Sequence, residues 1–227
     1  MDSTDNSNYW AGNEPPEALG PQPFLLLPWA VGLLALVLIA THLARTVLPE
    51  NLSNNIANAY GFTPVHFDRA VTYVSYIFVH GSWTHVLINT LWLLAFGPPV
   101  ARRFGTFNFF MLFLVSGVAG AIAQLACSWG STDPIIGASA GVAGLMAICF
   151  RIIGQGPLTA QPRGKLAPLL SRQVLTWTAI WVVINIVAGL TGLGSGPGAP
   201  QAVAWQAHLG GYFAGLLLCG LFDPLSG

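Results

Sequence analysis

Charge is what this chain lacks. Its 227 residues include eight Lys and Arg and eight Asp and Glu, 7% of the total, where soluble domains run near ~25%. So few charges exclude a water-soluble globule. A formal net charge of zero also leaves no basic face for a phosphate backbone, which excludes nucleic-acid binding. Cysteine is scarce as well: Cys127, Cys149 and Cys219 lie in apolar runs without CxxC spacing. Neither a disulfide framework nor a thiolate metal site is expected, and the three read as free buried thiols. No segment repeats another, so an inverted-repeat transporter gains no support.

Hydrocarbon is what is present: apolar residues make up 54% of the chain and the mean hydropathy is +0.64, a composition that suits a lipid bilayer. Residues 1–22 hold four acids and no Lys or Arg and read as a disordered, cytoplasmic, acidic tail. Without a basic start before the first apolar run, no cleaved signal peptide is expected. Residues 23–227 read as one all-α, six-helix membrane domain, with candidate spans at 24–47, 83–96, 104–127, 135–153, 174–190 and 203–222. At ~20 residues per span the chain has room for all six. The second span is short, contains Asn89 and meets Pro98-Pro99, so it is expected to be central, where neighbouring helices can satisfy its polar groups.

Arg102, Arg103, Arg151, Arg163, Lys165 and Arg172 fall at or in the loops after spans 2 and 4, against Arg45 and Arg69 in loop 1. The positive-inside rule therefore predicts a cytoplasmic N-terminus, with loops 1, 3 and 5 outside. Loop 1 (48–82) carries residues suited to the membrane interface. Loop 5, the Gly- and Pro-rich stretch 189–201, is expected to be mobile.

Polar side chains in hydrocarbon are unfavourable when unpaired, so those sharing one depth are informative. On this topology spans 2, 4 and 6 all enter from outside, and each carries polar residues in its first turns: His85 and Asn89, Ser139, and His208. The spacing of four puts His85 and Asn89 on one helical face. Ser139 lies in Gly137-Ala138-Ser139-Ala140-Gly141-Val142-Ala143-Gly144, whose small residues let another helix approach closely. Gly211 and Gly215 give the His208 span a matching small face. A serine hydroxyl becomes reactive when a neighbouring imidazole takes its proton, so the pair reads as nucleophile and base. His85, Asn89 and the Ser139 N–H are then candidates to receive a developing oxyanion.

Other chemistries fit less well. Gly-x-Ser-x-Gly also matches the nucleophile elbow of α/β hydrolases, but that fold needs an acid between serine and histidine, and no Asp or Glu lies between Ser139 and His208. A metal hydrolase built on His80, His85 and His208 would lack HExxH and any carboxylate in the spans. No metal and no cofactor is expected. Each motif alone has a bland reading: a membrane serine commonly bonds back to its own helix, and Gly-xxx-Gly commonly serves packing.

Taken in order, His80-Gly81-Ser82-Trp83-Thr84-His85-Val86-Leu87-Ile88-Asn89, then Phe96-Gly97, Gly137-Ala138-Ser139 and Ala207-His208-x-x-Gly211-x-x-x-Gly215 resemble the rhomboid family of intramembrane serine proteases over residues 67–220. The resemblance implies a six-helix bundle with Ser139 as nucleophile, His208 as general base, and His85, Asn89 and the Ser139 N–H as oxyanion hole. It implies structural support from His80, Gly137, Gly144, Gly211 and Gly215. It also implies hydrolysis of transmembrane protein substrates in the lipid bilayer, with a bacterial inner membrane as the expected location and the site near the outer face. The alternative within the family is a catalytically inactive protein that binds membrane substrates. The sequence departs from the family pattern at Ala140, at Val71-Thr72, at Ala101 and at Ala143, where an aromatic residue often stacks on the catalytic imidazole. What orients His208 is left open by these departures, and the oligomeric state is not predicted.

Overall fold

Backbone N–H and C=O groups in hydrocarbon have no water to bond, so a chain this apolar satisfies them within helices. The structure, a computed structural model, describes residues 27–153, 165–192 and 204–224. The acidic tail and most of loop 5 lie outside the described residues. Among the described residues seven α-helices follow in order: α1 (Trp29–Thr46), α2 (Glu50–Tyr60), α3 (Thr72–Ser75), α4 (Trp83–Cys127), α5 (Ser139–Ile153), α6 (Arg172–Thr191) and α7 (Trp205–Leu218). Short 3-10 turns cover Pro64–His66, Tyr76–Phe78 and Cys219–Phe222. Among the described residues no strand forms, and extended pairing is confined to an isolated antiparallel bridge between Phe62 and Ile135. Among the described residues three helices, α1, α4 and α6, are long and apolar enough to cross a membrane.

The 45-residue α4 is not one rod: Gly105, at φ 77° and ψ 170°, breaks it. His85 lies against Gly137 and Gly120 lies against Ala140, two positions close together in the chain. A straight helix would hold residues 85 and 120 about 50 Å apart, so segments 83–104 and 106–127 fold back on each other. This corrects the expected end of the second span. The helix does not stop near Phe96 but runs through Pro98 and Pro99, because a proline inside a membrane helix is tolerated where neighbours shield the freed carbonyls. The reversal falls instead at a glycine, which alone adopts positive φ without strain. The Arg103 guanidinium grips the Asp223 carboxylate beside this turn through two hydrogen bonds, at 3.0 and 2.8 Å, with both side chains buried.

The fourth apolar run needs a second correction. Its helix begins at Ser139 rather than 135, since Gly137 takes a φ of 117° and residues 134–138 are a pinned, non-helical approach.

Helix α5 is the axis of the molecule: Ala138, Ala140 and residues 142–150 are buried almost without exception. Glycines set its spacing to its neighbours. Gly211 and Gly215 of α7 lie on the backbones of Ala140 and Gly144, so the two helices run parallel in direct main-chain contact. Gly120 and Ser116 of α4 meet Ala140 and Gly144 respectively, an antiparallel approach. Close packing of this kind associates helices in lipid, where no hydrophobic force acts between them. Helix α6 stands further out. Little of its apolar surface is buried, far less than in α4, and it meets the bundle through the Trp181–Tyr212 and Phe150–Trp177 stacks and a 2.8 Å hydrogen bond between Thr178 and Tyr212.

Candidate active site

Three segments hold the approach to Ser139. Phe62 and Ile135 exchange backbone hydrogen bonds of 3.0 and 2.8 Å. The Gly137 N–H donates to the Tyr76 carbonyl at 2.9 Å, and the Tyr76 hydroxyl donates to the Gly117 carbonyl at 2.7 Å. The Ala138 N–H donates to His80 Nε2 at 3.3 Å. His80 is fully buried, and burial, reinforced by the nearby His85 and His42, lowers its pKa to about 3. The ring is therefore neutral at physiological pH and free to accept. Its backbone carbonyl is held in turn by His42 Nδ1 at 3.1 Å and by Arg45 at 2.7 Å, so α1 braces this loop. His42 had no partner legible in the sequence; its partner is a main-chain atom.

These bonds fix a sharp entry into α5. At Gly137 a Cβ would be strained by the positive φ and would also lie 2.6 Å from His85 Nε2, so glycine is required twice over. Ser139 follows as the first residue of α5, where backbone N–H groups have no intrahelical partner and the helix dipole is positive.

The parallel contact of α5 and α7 brings His208 to the serine: Nε2 lies 2.7 Å from Ser139 Oγ. Both residues are partly exposed, so the pair is not sealed inside the bundle. The fit depends on absent side chains. A Cβ at Gly211 would lie 2.7 Å from the Ala140 carbonyl carbon, and one at Gly215 would lie 2.6 Å from Gly144 Cα. A Cβ at Gly144 would in turn meet Ser116 and stand 2.9 Å from the Gly211 oxygen.

His85 reaches the same region by facing Gly137 and edge-packs on His80 with ring centroids 5.2 Å apart. Asn89 is buried one turn further along, and its amide donates to the His85 carbonyl at 2.9 Å. The structure thus joins Ser139 with His208 and sets His85 against Gly137, the residue two positions before the serine, with Asn89 bonded back to its own helix.

One residue escaped the sequence reading. Asn185 of α6 is 6% exposed; its Oδ1 stands 2.9 Å from His208 Nδ1, and its Nδ2 donates to the Trp205 carbonyl at 2.9 Å. A signal existed, since Asn185 is the single amide in the apolar run 174–190 and polar residues inside spans are seldom idle. Among the described residues no group of three or more His, Cys, Asp or Glu could hold a metal ion.

Comparison with known proteins agrees with this architecture. The family model of the Rhomboid domain matches residues 68–223. Rhomboid protease GlpG of Yersinia pestis (strain Pestoides F) is 25% identical over 148 residues, 64% of this chain and 46% of that protein. RHOMBOID-like protein 4 of Arabidopsis thaliana is 31% identical over 147 residues, 62% of this chain and 31% of that protein. The chain therefore spans less than half the length of these curated relatives. It belongs to the rhomboid family, and with its long apolar helices it is an integral membrane protein.

Proposed function

We propose that this chain is an intramembrane serine endopeptidase that cleaves peptide bonds in or near the transmembrane segments of other membrane proteins. The observation that carries the reading is the 2.7 Å separation of His208 Nε2 and Ser139 Oγ, within hydrogen-bond reach for a nucleophile and its base. Ser139 Oγ attacks the scissile carbonyl carbon while its proton passes to His208 Nε2. The tetrahedral oxyanion is met by the Ser139 N–H at the start of α5, with His85 and Asn89 as side-chain donors. The C–N bond then breaks as the imidazolium returns that proton to the leaving amine, and water repeats the sequence on the acyl-enzyme.

In this reading the two halves of α4 count as separate crossings, giving six with α1, α5, α6 and α7. The excess of Lys and Arg at two loop positions supports a cytoplasmic N-terminus and a site near the outer face; a bacterial inner membrane is the proposed location. Substrate helices reach Ser139 from the lipid.

The test is incubation of the full chain in detergent with a single-span substrate, read by fragment mass. Wild type cleaves, while Ser139→Ala and His208→Ala remain folded and do not. An inert, folded wild type would favour the non-catalytic, substrate-binding alternative. Undiminished cleavage by either variant would overturn the assignment of that residue.

A further inference from the structure

The amide of Asn185 can face only one way. Its neighbour at 2.9 Å on one side is the Trp205 carbonyl, which accepts and never donates. The NH2 group must therefore turn toward Trp205, leaving Oδ1 toward His208 Nδ1 at 2.9 Å. An amide oxygen likewise only accepts, so Nδ1 must carry the hydrogen. The lone pair of the neutral imidazole is then confined to Nε2, which faces Ser139 Oγ at 2.7 Å. A main-chain carbonyl on α7 thus decides, through one side chain, which ring nitrogen can take the serine proton.

From this geometry we infer that Asn185 is a positioning residue for His208: it fixes the tautomer and the plane of the imidazole, completing a Ser139–His208–Asn185 relay. The inference rests on the protease reading for its kinetic consequence but not for its chemistry. Asn185 takes up no proton during the reaction; its Oδ1 accepts from Nδ1–H both in the neutral ring and in the imidazolium, as the third member does in Cys-His-Asn sites. Ala143 supplies no ring to stack on His208, and the buried amide supplies the missing restraint. The relay also ties α6, the most loosely packed of the long helices, to the catalytic helix α7. Displacement of α6 would release His208, so the base is fully oriented only when α6 is seated.

The experiment uses the full chain in detergent with 15N-labelled histidine, the His208 signals being identified by their loss in His208→Gln. Wild type should show the Nδ1–H tautomer. In Asn185→Leu, of similar volume, that tautomer should give way to the Nε2–H form that an unrestrained imidazole prefers. The kcat for a single-span substrate should fall about 100-fold, with KM changed less than about twofold. Asn185→Asp keeps an acceptor for Nδ1–H. It should retain the tautomer, recover at least about tenfold of the lost kcat, and move the acidic limb of the kcat profile to higher pH, because a carboxylate favours the imidazolium. A packing role alone would move neither tautomer nor pH profile.

An Nε2–H wild type, or an Asn185→Leu variant with unchanged tautomer and kcat, would overturn the inference. The wild-type spectrum decides even if Asn185→Leu does not fold. If the tautomer responds as expected in a protein that cleaves nothing, the relay stands and the protease reading fails.

Discussion

A single methyl group at position 211 should disable the site without touching either reacting residue. In Gly211→Ala the new Cβ would stand 2.7 Å from the Ala140 carbonyl carbon and nearer still to its oxygen, where ordinary contacts lie at 3.4–4 Å. Both obstacles are helix backbone, so no flexible side chain can yield, and α5 and α7 must part by about 1 Å, a strain of ~1–3 kcal/mol. Ser139 Oγ and His208 Nε2, 2.7 Å apart, would move to about 3.7 Å, beyond a working hydrogen bond. Misplacement of that size costs about 100-fold in rate. The assay is kcat on a single-span substrate, normalised to folded protein measured by thermal unfolding in detergent. Gly220→Ala is the control, since its Cβ would meet nothing closer than Arg151 Nη1 at 3.9 Å, and it should behave as wild type. Gly215→Ala, pressed on Gly144 one turn further from the pair, should lose comparable stability but less rate. Folded Gly211→Ala with kcat within about threefold of wild type would refute the claim that main-chain contact sets the catalytic distance.

Two further outcomes concern what supports the site. His80 stays neutral in the folded protein until about pH 3, against an ordinary value of 6.5, so the unfolded chain alone takes the proton between those values. Its contribution to stability is complete above about pH 6.5 and declines as pH falls toward 3. His80→Gln, which keeps an acceptor for the Ala138 N–H but cannot titrate, should unfold with a shallower acid slope than wild type; superimposable pH curves would contradict this. Separately, Arg103→Met would remove the two hydrogen bonds that the guanidinium gives the buried Asp223 carboxylate. It should lower stability by about 3–5 kcal/mol, and an unaltered unfolding temperature would show that the pair does not secure the α4 turn.

Much of this architecture was legible because lipid imposes simple patterns. Long apolar runs marked the cores of the helices, and small residues at 140, 144, 211 and 215 marked a close helix pair before any distance was known. The helix ends were misread where local rules conflict. Pro98-Pro99 looked like a stop, yet tertiary neighbours carried the helix to the glycine at 105. The start of α5 was set too early, because Ile135 and Ile136 are apolar like the helix but belong to a segment pinned by Phe62, Tyr76 and His80. The helices of loop 1 were missed: α2 is polar on average and none of its residues is buried, so its narrow apolar stripe, Leu52, Ile56, Ala59 and Tyr60, did not stand out from the rest of the loop. Asn185 was visible as a lone amide, but its partner lies 23 positions away, across a connection whose geometry no spacing rule predicts. Polar pairs within one helix announce themselves by a spacing of four; pairs between helices do not.

The central claim is that His208 activates Ser139. A fluorophosphonate probe applied to the full chain in detergent, with the adduct located by peptide mass mapping, tests it most directly. The account predicts one adduct, on Ser139, in wild type and none in His208→Ala. Modification of another residue, or equal modification of Ser139 without the imidazole, would contradict it.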